Sequence, residues 1–157
     1  MKHTISILVE NRFGVLARVA GLFSARGYNI DSLAVSETQD SATSRMTVVV
    51  NAEDERVLEQ IKKQLNKLID VITVTDFTKK EYIERELVFV KIAADKKKWP
   101  RLKKILARAK AQILEKKPDY CIAELVDDQE RIKAFLGELK DFAVTELVRT
   151  GRIAIAK

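Results

Sequence analysis

Thr4-Ile5-Ser6-Ile7-Leu8-Val9-Glu10-Asn11-Arg12-Phe13-Gly14-Val15-Leu16-Ala17-Arg18-Val19-Ala20-Gly21-Leu22-Phe23 changes its hydrophobic period halfway along. Up to Glu10 apolar residues alternate, which sets Ile5, Ile7 and Val9 on one face of a strand at residues 4–10. Asn11-Arg12-Phe13-Gly14 breaks the alternation as a turn. From Val15 the spacing becomes helical, with Leu16, Val19 or Ala20, and Phe23 a turn apart. Gly27 follows where a helix end wants a left-handed residue. Strand, tight turn and helix in this order open a βα unit, and the rest of the chain decides which kind.

Residues 30–36 and 45–50 read as two more strands joined by a polar loop at 38–43. Residues 54–68 carry Leu58, Ile61, Leu65 and Leu68 at helical spacing, and 71–76 form a β-branched strand. The order then recurs. A strand at 87–93 leads to a helix at 99–110 and a hairpin of 113–115 with 120–126 around Pro118-Asp119. A helix capped by Asp127 or Asp128 and strands at 144–148 and 153–156 complete it. This is β-α-β-β-α-β twice, the ferredoxin-like split plan. The expected class is α+β: a first domain at 1–77, a linker at 78–86 and a second ferredoxin-like domain at 87–157. In this plan the strand at 30–36 lies at a sheet edge, yet Ile30, Leu33 and Val35 come without the Lys or Pro that protects such edges. Pairing with a second copy is the expected remedy, so a homodimer through the first domain is predicted.

The inventory excludes most chemistries. With one Cys121 and one His3 the chain cannot supply the usual zinc or iron–sulfur ligand set, and a disulfide framework is impossible. A lone cysteine also fits a reducing compartment, and a cytoplasmic location is expected. Gly14, Gly21, Gly27, Gly137 and Gly151 match neither a P-loop nor a dinucleotide fingerprint. No apolar run approaches a membrane span, and Met1-Lys2-His3-Thr4 leads straight into alternating residues without a leader pattern. No metal site, catalytic group or cofactor is therefore expected in this chain, and it is not read as an enzyme on its own. Charge concentrates late: residues 96–110 hold eight Lys or Arg and no acid. A solvated helix face is the plainer account of that run. Nucleic acid is not the expected partner, because residues 5–9 and 46–50 offer no aromatic for base stacking and the central strands of the second domain only Phe89 and Tyr120.

Binding has better candidates. A helix amino terminus after a strand presents free N–H groups and a positive dipole end, which suit a carboxylate. Gly14 lets backbone approach a ligand closely, and Asn11 offers both an acceptor and a donor to an amino acid. Asn29, at the start of the edge strand, could supply the same groups from a second copy. Val15, Leu16 and Ile30 would line a small space for an aliphatic side chain. Turn-shaping roles for Asn11 and Gly14, and a plain loop role for Asn29, stay open at this level. His3 reads as incidental and Cys121 as a small core residue.

Ile7-Leu8-Val9-Glu10-Asn11 and the run from Gly14-Val15-Leu16-Ala17-Arg18 to Gly27-Tyr28-Asn29-Ile30 resemble the ACT domain of the acetolactate synthase (acetohydroxyacid synthase) small-subunit family. Ser44-Arg45-Met46-Thr47, Glu84-Arg85-Glu86-Leu87 and Val148-Arg149-Thr150-Gly151 continue the likeness over nearly the whole chain. It is densest in residues 7–92; the Lys-rich stretch and Ala109-Lys110-Ala111-Gln112 depart from the family pattern. The resemblance implies a noncatalytic regulatory subunit that activates a large catalytic subunit holding thiamine diphosphate, magnesium and FAD. It also implies feedback inhibition by a branched-chain amino acid, valine foremost, in valine, leucine and isoleucine synthesis. The effector would meet Asn11, Gly14, Val15, Leu16, Asn29 and Ile30 between paired ACT domains. The alternative is a free-standing ACT-type sensor controlling another enzyme.

Overall fold

The computed structural model describes residues 2–51 and 55–157. The chain divides into two compact units, Met1–Ile83 with Arg152–Lys157, and Glu84–Gly151. Unit 1 runs β1 (Lys2–Glu10), α1 (Val15–Ser24), β2 (Ile30–Glu37), β3 (Thr43–Asn51), α2 (Glu55–Leu65) and β4 (Val71–Asp76). Its antiparallel sheet has the order β2-β3-β1-β4, so β2 is an edge strand of the single chain. Alternation along β1 sends Ile5, Ile7 and Val9 into a core with Met46, Val48 and Val50 from β3, Val19 and Phe23 from α1, and Ile61 and Leu65 from α2. The register runs from Lys2 opposite Asn51 to Glu10 opposite Thr43. The helix α1 ends at Ser24, and Gly27 takes the left-handed conformation (φ +71°) while Tyr28 N–H reaches back to the Phe23 carbonyl at 3.0 Å. That is the Schellman closure the glycine implied. The helix α2 stops three residues short of the expected end, with Leu68 packing from the turn beyond it; Asp54, its expected start, lies outside the described residues.

Unit 2 repeats the plan with β5 (Tyr82–Ala93), α3 (Trp99–Ala109), β6 (Gln112–Lys116), β7 (Tyr120–Asp127), α4 (Gln129–Glu138), a short 3-10 turn (Leu139–Asp141) and β8 (Ala143–Arg149). The strand order β6-β7-β5-β8 matches that of unit 1. Val88, Val90, Ile92, Cys121 and Ala123 pack under Leu102, Leu106, Ile132 and Phe135. Burial also pushes the Cys121 thiol above its ordinary range. Asp128, not Asp127, caps α4: its carboxylate accepts the Arg131 N–H at 2.9 Å.

Two boundaries differ from the sequence reading. β5 already begins at Tyr82, inside the stretch expected to be a linker, where the Tyr82 ring packs on buried Phe77. The final strand β9 (Ile153–Ala156) pairs with β5 and groups with unit 1 rather than with the second domain. After Gly151 turns the chain at φ +83°, buried Arg152 donates to Thr4 Oγ1 at 2.7 Å and its backbone N–H bonds Ser32 Oγ at 3.0 Å. Lys157 N–H then bonds the Glu81 carbonyl. These bonds hold the tail on unit 1.

Candidate functional site: the turn from β1 to α1

The turn opens as the sheet ends. Asn11 N–H bonds the Ala42 carbonyl at 2.8 Å and its side-chain amide donates to the Ser41 carbonyl at 2.9 Å, tying the turn to the loop between β2 and β3. Asn11 is exposed, and its side-chain oxygen meets no donor among the described residues. Gly14 caps α1 in the left-handed region at φ +79°, where an L side chain is strained. A Cβ there would also lie 2.9 Å from Arg18 Nη1. The first turn of α1 holds no acidic residue and no side chain caps it. Arg18 N–H bonds the Gly14 carbonyl and Val15 N–H the Arg12 carbonyl, but the N–H groups of Leu16 and Ala17 meet no acceptor among the described residues. Val15 is buried and Leu16 half-exposed beside this open end. The arrangement offers two parallel N–H donors, a positive dipole end and an apolar flank, which can hold a carboxylate bearing a short aliphatic chain.

Asn11, Gly14, Val15 and Leu16 therefore come together. Asn29 and Ile30 do not join them within one chain. Ile30 is opposite Val50, which is opposite His3, so they stand at the far end of the sheet from Glu10. Seven residues at about 3.3 Å each separate the two ends, roughly 23 Å. Asn29 is exposed and donates to Asp31 Oδ1 at 2.8 Å, while its own side-chain oxygen meets no donor among the described residues. The Lys2 ammonium, 3.2 Å from Asp31, holds that carboxyl below the usual carboxylate range, and the Asn29 amide acts in the same direction.

Three partners of these residues were not read from the sequence. Arg18 lies over Gly14 and donates to Asp70 Oδ2 at 2.8 Å; its spacing four residues after Gly14 was the available signal. Asp70 and Ser41 come from distant loops and carry no local signal. His3 is not incidental: it is buried, and its Nδ1 lies 2.9 Å from Thr78 Oγ1. The basic run of α3 is largely surface. Arg101 and Arg108 pair with Asp141 and Glu138 along an open groove of about 570 Å³. Among the described residues no three His, Cys, Asp or Glu side chains cluster as a metal site, and no helix is long and apolar enough to cross a membrane.

Comparison with known proteins agrees with this architecture at both ends of the chain. Residues 5–73 match the family model described as AHAS small subunit-like ACT domain, and residues 85–157 the model described as small subunit of acetolactate synthase. A probable acetolactate synthase small subunit from Archaeoglobus fulgidus is 43% identical over 157 residues, covering 100% of this chain and 98% of that one. The acetolactate synthase isozyme 3 small subunit of Escherichia coli is 39% identical, covering 100% and 96%. The crystal structure of the acetolactate synthase small subunit from Thermotoga maritima superposes with a TM-score of 0.89 at 31% identity, covering 100% of this chain and 98% of that chain. The two units with their shared strand order, the ACT-type first unit and this full-length likeness place the chain in the acetolactate synthase small-subunit family.

Proposed function

We propose that the chain is a noncatalytic regulatory subunit that raises the activity of a thiamine-diphosphate-dependent large subunit and confers feedback inhibition by valine. The observation that carries this reading is the open end of α1, where Leu16 and Ala17 N–H groups face no acceptor and Gly14 contributes no side chain. A valine carboxylate would dock on those N–H groups, with its isopropyl group along Val15 and Leu16. The thiamine diphosphate, magnesium and FAD belong, in this reading, to the large subunit.

The ammonium end needs a second copy. Two β2 edges paired antiparallel about a twofold axis set the Ile30 end of one strand beside the Glu37 end of the other. The second copy's Asn29 then arrives near the loop that holds Asn11 through Ser41. The side-chain oxygens of Asn11 and of the second Asn29 would accept from the ammonium, and Ile30 would close the apolar side. Valine bound across this seam favours one arrangement of the paired sheets. Inhibition follows if that arrangement activates the large subunit less well. A coupling of about 1–3 kcal/mol is ordinary for such a linkage.

Calorimetric titration of valine, leucine and isoleucine into the purified protein, alongside activity of the reconstituted holoenzyme, tests the reading. Saturable valine binding that Asn11→Ala weakens at least tenfold, with inhibition lost in parallel, is expected. A folded dimer that activates the large subunit but binds none of the three, alone or in the holoenzyme, would refute the effector role.

A further inference from the structure

In unit 2, α3 faces the end of α4 and the 3-10 turn beyond it across an open groove of about 570 Å³. That size falls in the range of about 300–1,000 Å³ usual for small-ligand sites. One wall is the row Arg101, Lys104 and Arg108, whose spacing of three and four residues sets them on one face of α3. The other wall carries Glu138, Lys140 and Asp141. Arg101 pairs with Asp141 and Arg108 with Glu138, each through Nη2, so the other guanidinium N–H groups are left for a further acceptor. The Arg101 guanidinium also lies over the Phe142 ring, 5.6 Å from its centre. Between these two held arginines the Lys104 ammonium has no partner among the described residues, and neither has that of Lys140.

A basic helix that is merely solvated is best relieved by acids one turn away on its own surface, yet residues 96–110 contain none. The two carboxylates in the groove come from 30 and 40 residues further on, and against four cations they leave it with an excess of positive charge. The lining also includes Gly137, in the last turn of α4, where glycine weakens a helix relative to alanine. Gly137 is not among the glycines with positive φ, and a Cβ there would meet nothing within 4 Å. Neither backbone conformation nor internal packing therefore accounts for it. What the missing side chain does is keep open the space that the four cations border.

We infer that this groove binds an oligophosphate chain, whose phosphate groups rest over Gly137, on Lys104 and Lys140, and against the free edges of Arg101 and Arg108. The carboxylates already present select among anions. Glu138 and Asp141 give each arginine a singly charged partner, so a further carboxylate gains little, whereas a phosphate group brings more charge and three acceptor oxygens. Linked groups are needed to reach along the row, because Arg101 and Arg108 stand seven residues, about 10.5 Å, apart on α3. Apart from Ile105 and Gly137 the lining is charged, so it provides no wall for a base or an acyl chain. The site lies wholly within unit 2 and is independent of the β1–α1 turn.

The test is calorimetric titration of the purified protein, without magnesium, with inorganic tripolyphosphate, inorganic phosphate and a nucleoside triphosphate. Expected is one saturable tripolyphosphate site per chain, at least about tenfold tighter than phosphate and weakening as salt is raised. Lys104→Gln should raise its Kd about tenfold, as the loss of one charged hydrogen bond implies. Gly137→Leu should abolish binding by filling the groove, and Lys103→Gln, exposed on the same helix but outside the lining, should leave it unchanged. Melting temperatures report folding, and Lys140→Gln, with the same expectation as Lys104→Gln, replaces Gly137→Leu if that variant does not fold. A nucleoside triphosphate that binds as tripolyphosphate does would show that the phosphate chain alone is read; a tighter one would make a nucleotide the source of the chain. Absence of saturable tripolyphosphate binding would overturn the inference. So would equal losses in Lys103→Gln and Lys104→Gln with Gly137→Leu unaffected, which would mark a diffuse basic face of the kind that attracts a nucleic-acid backbone.

Discussion

The turn from β5 to α3 carries a carboxylate of its own on the backbone N–H groups that lead into its helix, whereas the turn from β1 to α1 carries none; neither helix has a side-chain cap bond at its N-cap residue, Lys98 or Gly14. In unit 2 the Asp95 carboxylate accepts the N–H groups of Lys97 and Lys98 at 3.0 and 2.9 Å, and the Asp95 carbonyl accepts Trp99 N–H at 3.0 Å. Pro100 then removes another donor from the first turn of α3. The same carboxylate offsets three successive lysines, 96–98, placed against the helix dipole. In unit 1 the corresponding turn ends on Gly14, with no side-chain cap and no acid in the first turn of α1. The strand order is the same in both units, so topology does not demand the open end. With glycine at the N-cap, the absent side-chain cap forgoes only roughly a few tenths of a kcal/mol of helix stability. One turn carries its own carboxylate and the other carries none, which fits the proposed docking of an effector carboxylate there.

The largest expected effect comes from making unit 1 resemble unit 2. Gly14→Asp should put a carboxylate at the open end and force an L residue into φ +79°. Valine affinity should fall at least about a hundredfold, near 2.7 kcal/mol at 1.36 kcal/mol per decade, while activation of the large subunit persists. Strain of about 1–2 kcal/mol should also lower the unfolding midpoint. Valine binding of natural strength in the variant would break the comparison. A middle-sized effect comes from the converse change. Asp95→Ala should cost about 1 kcal/mol in denaturant unfolding, within a range of about 0.5–2, and leave valine affinity unaltered. A larger change in valine affinity than in stability would mean that the two turns are not independent.

The smallest effect concerns Asp31, next to the second copy's proposed contribution. Its carboxyl is held low by Lys2, so its ion pair adds stability above the ordinary carboxylate range, and that stability is lost as pH falls through the lowered value. Lys2→Met should therefore be slightly less stable than the natural protein at pH 7, by less than about 1 kcal/mol for so exposed a pair, and the difference should shrink steadily as acid protonates Asp31. A stability difference that does not shrink as the pH is lowered would remove Asp31 from that account.

Hydrophobic period alone placed α1, β4 and α3 close to their observed positions, because each has a regular apolar stripe and a clear breaker at its end. Gly14 and Asn11 were legible as turn chemistry. The tail was not. Ile153-Ala154-Ile155-Ala156 is an apolar run whose pairing partner is a tertiary choice, and Arg152 reads as an ordinary surface cation although it is buried against Thr4 and Ser32. Tyr82 to Glu86 was taken for a linker because its charges hid a strand. The Arg18–Asp70 pair spans 52 residues and left no local trace. Asp95 did leave one, an Asp shortly before Trp99-Pro100 at a helix start, but the neighbouring lysines drew the reading toward the basic run.

The most direct measurement follows backbone amide shifts by nuclear magnetic resonance as valine is titrated into the dimer. Occupation of the open end predicts that the amides of Leu16 and Ala17 move most, together with Gly14, and that those of Lys97 and Lys98 stay still. Saturation with valine that leaves Leu16 and Ala17 unmoved, or that moves Lys97 and Lys98 as much, would contradict the assignment of the effector carboxylate to the β1–α1 turn.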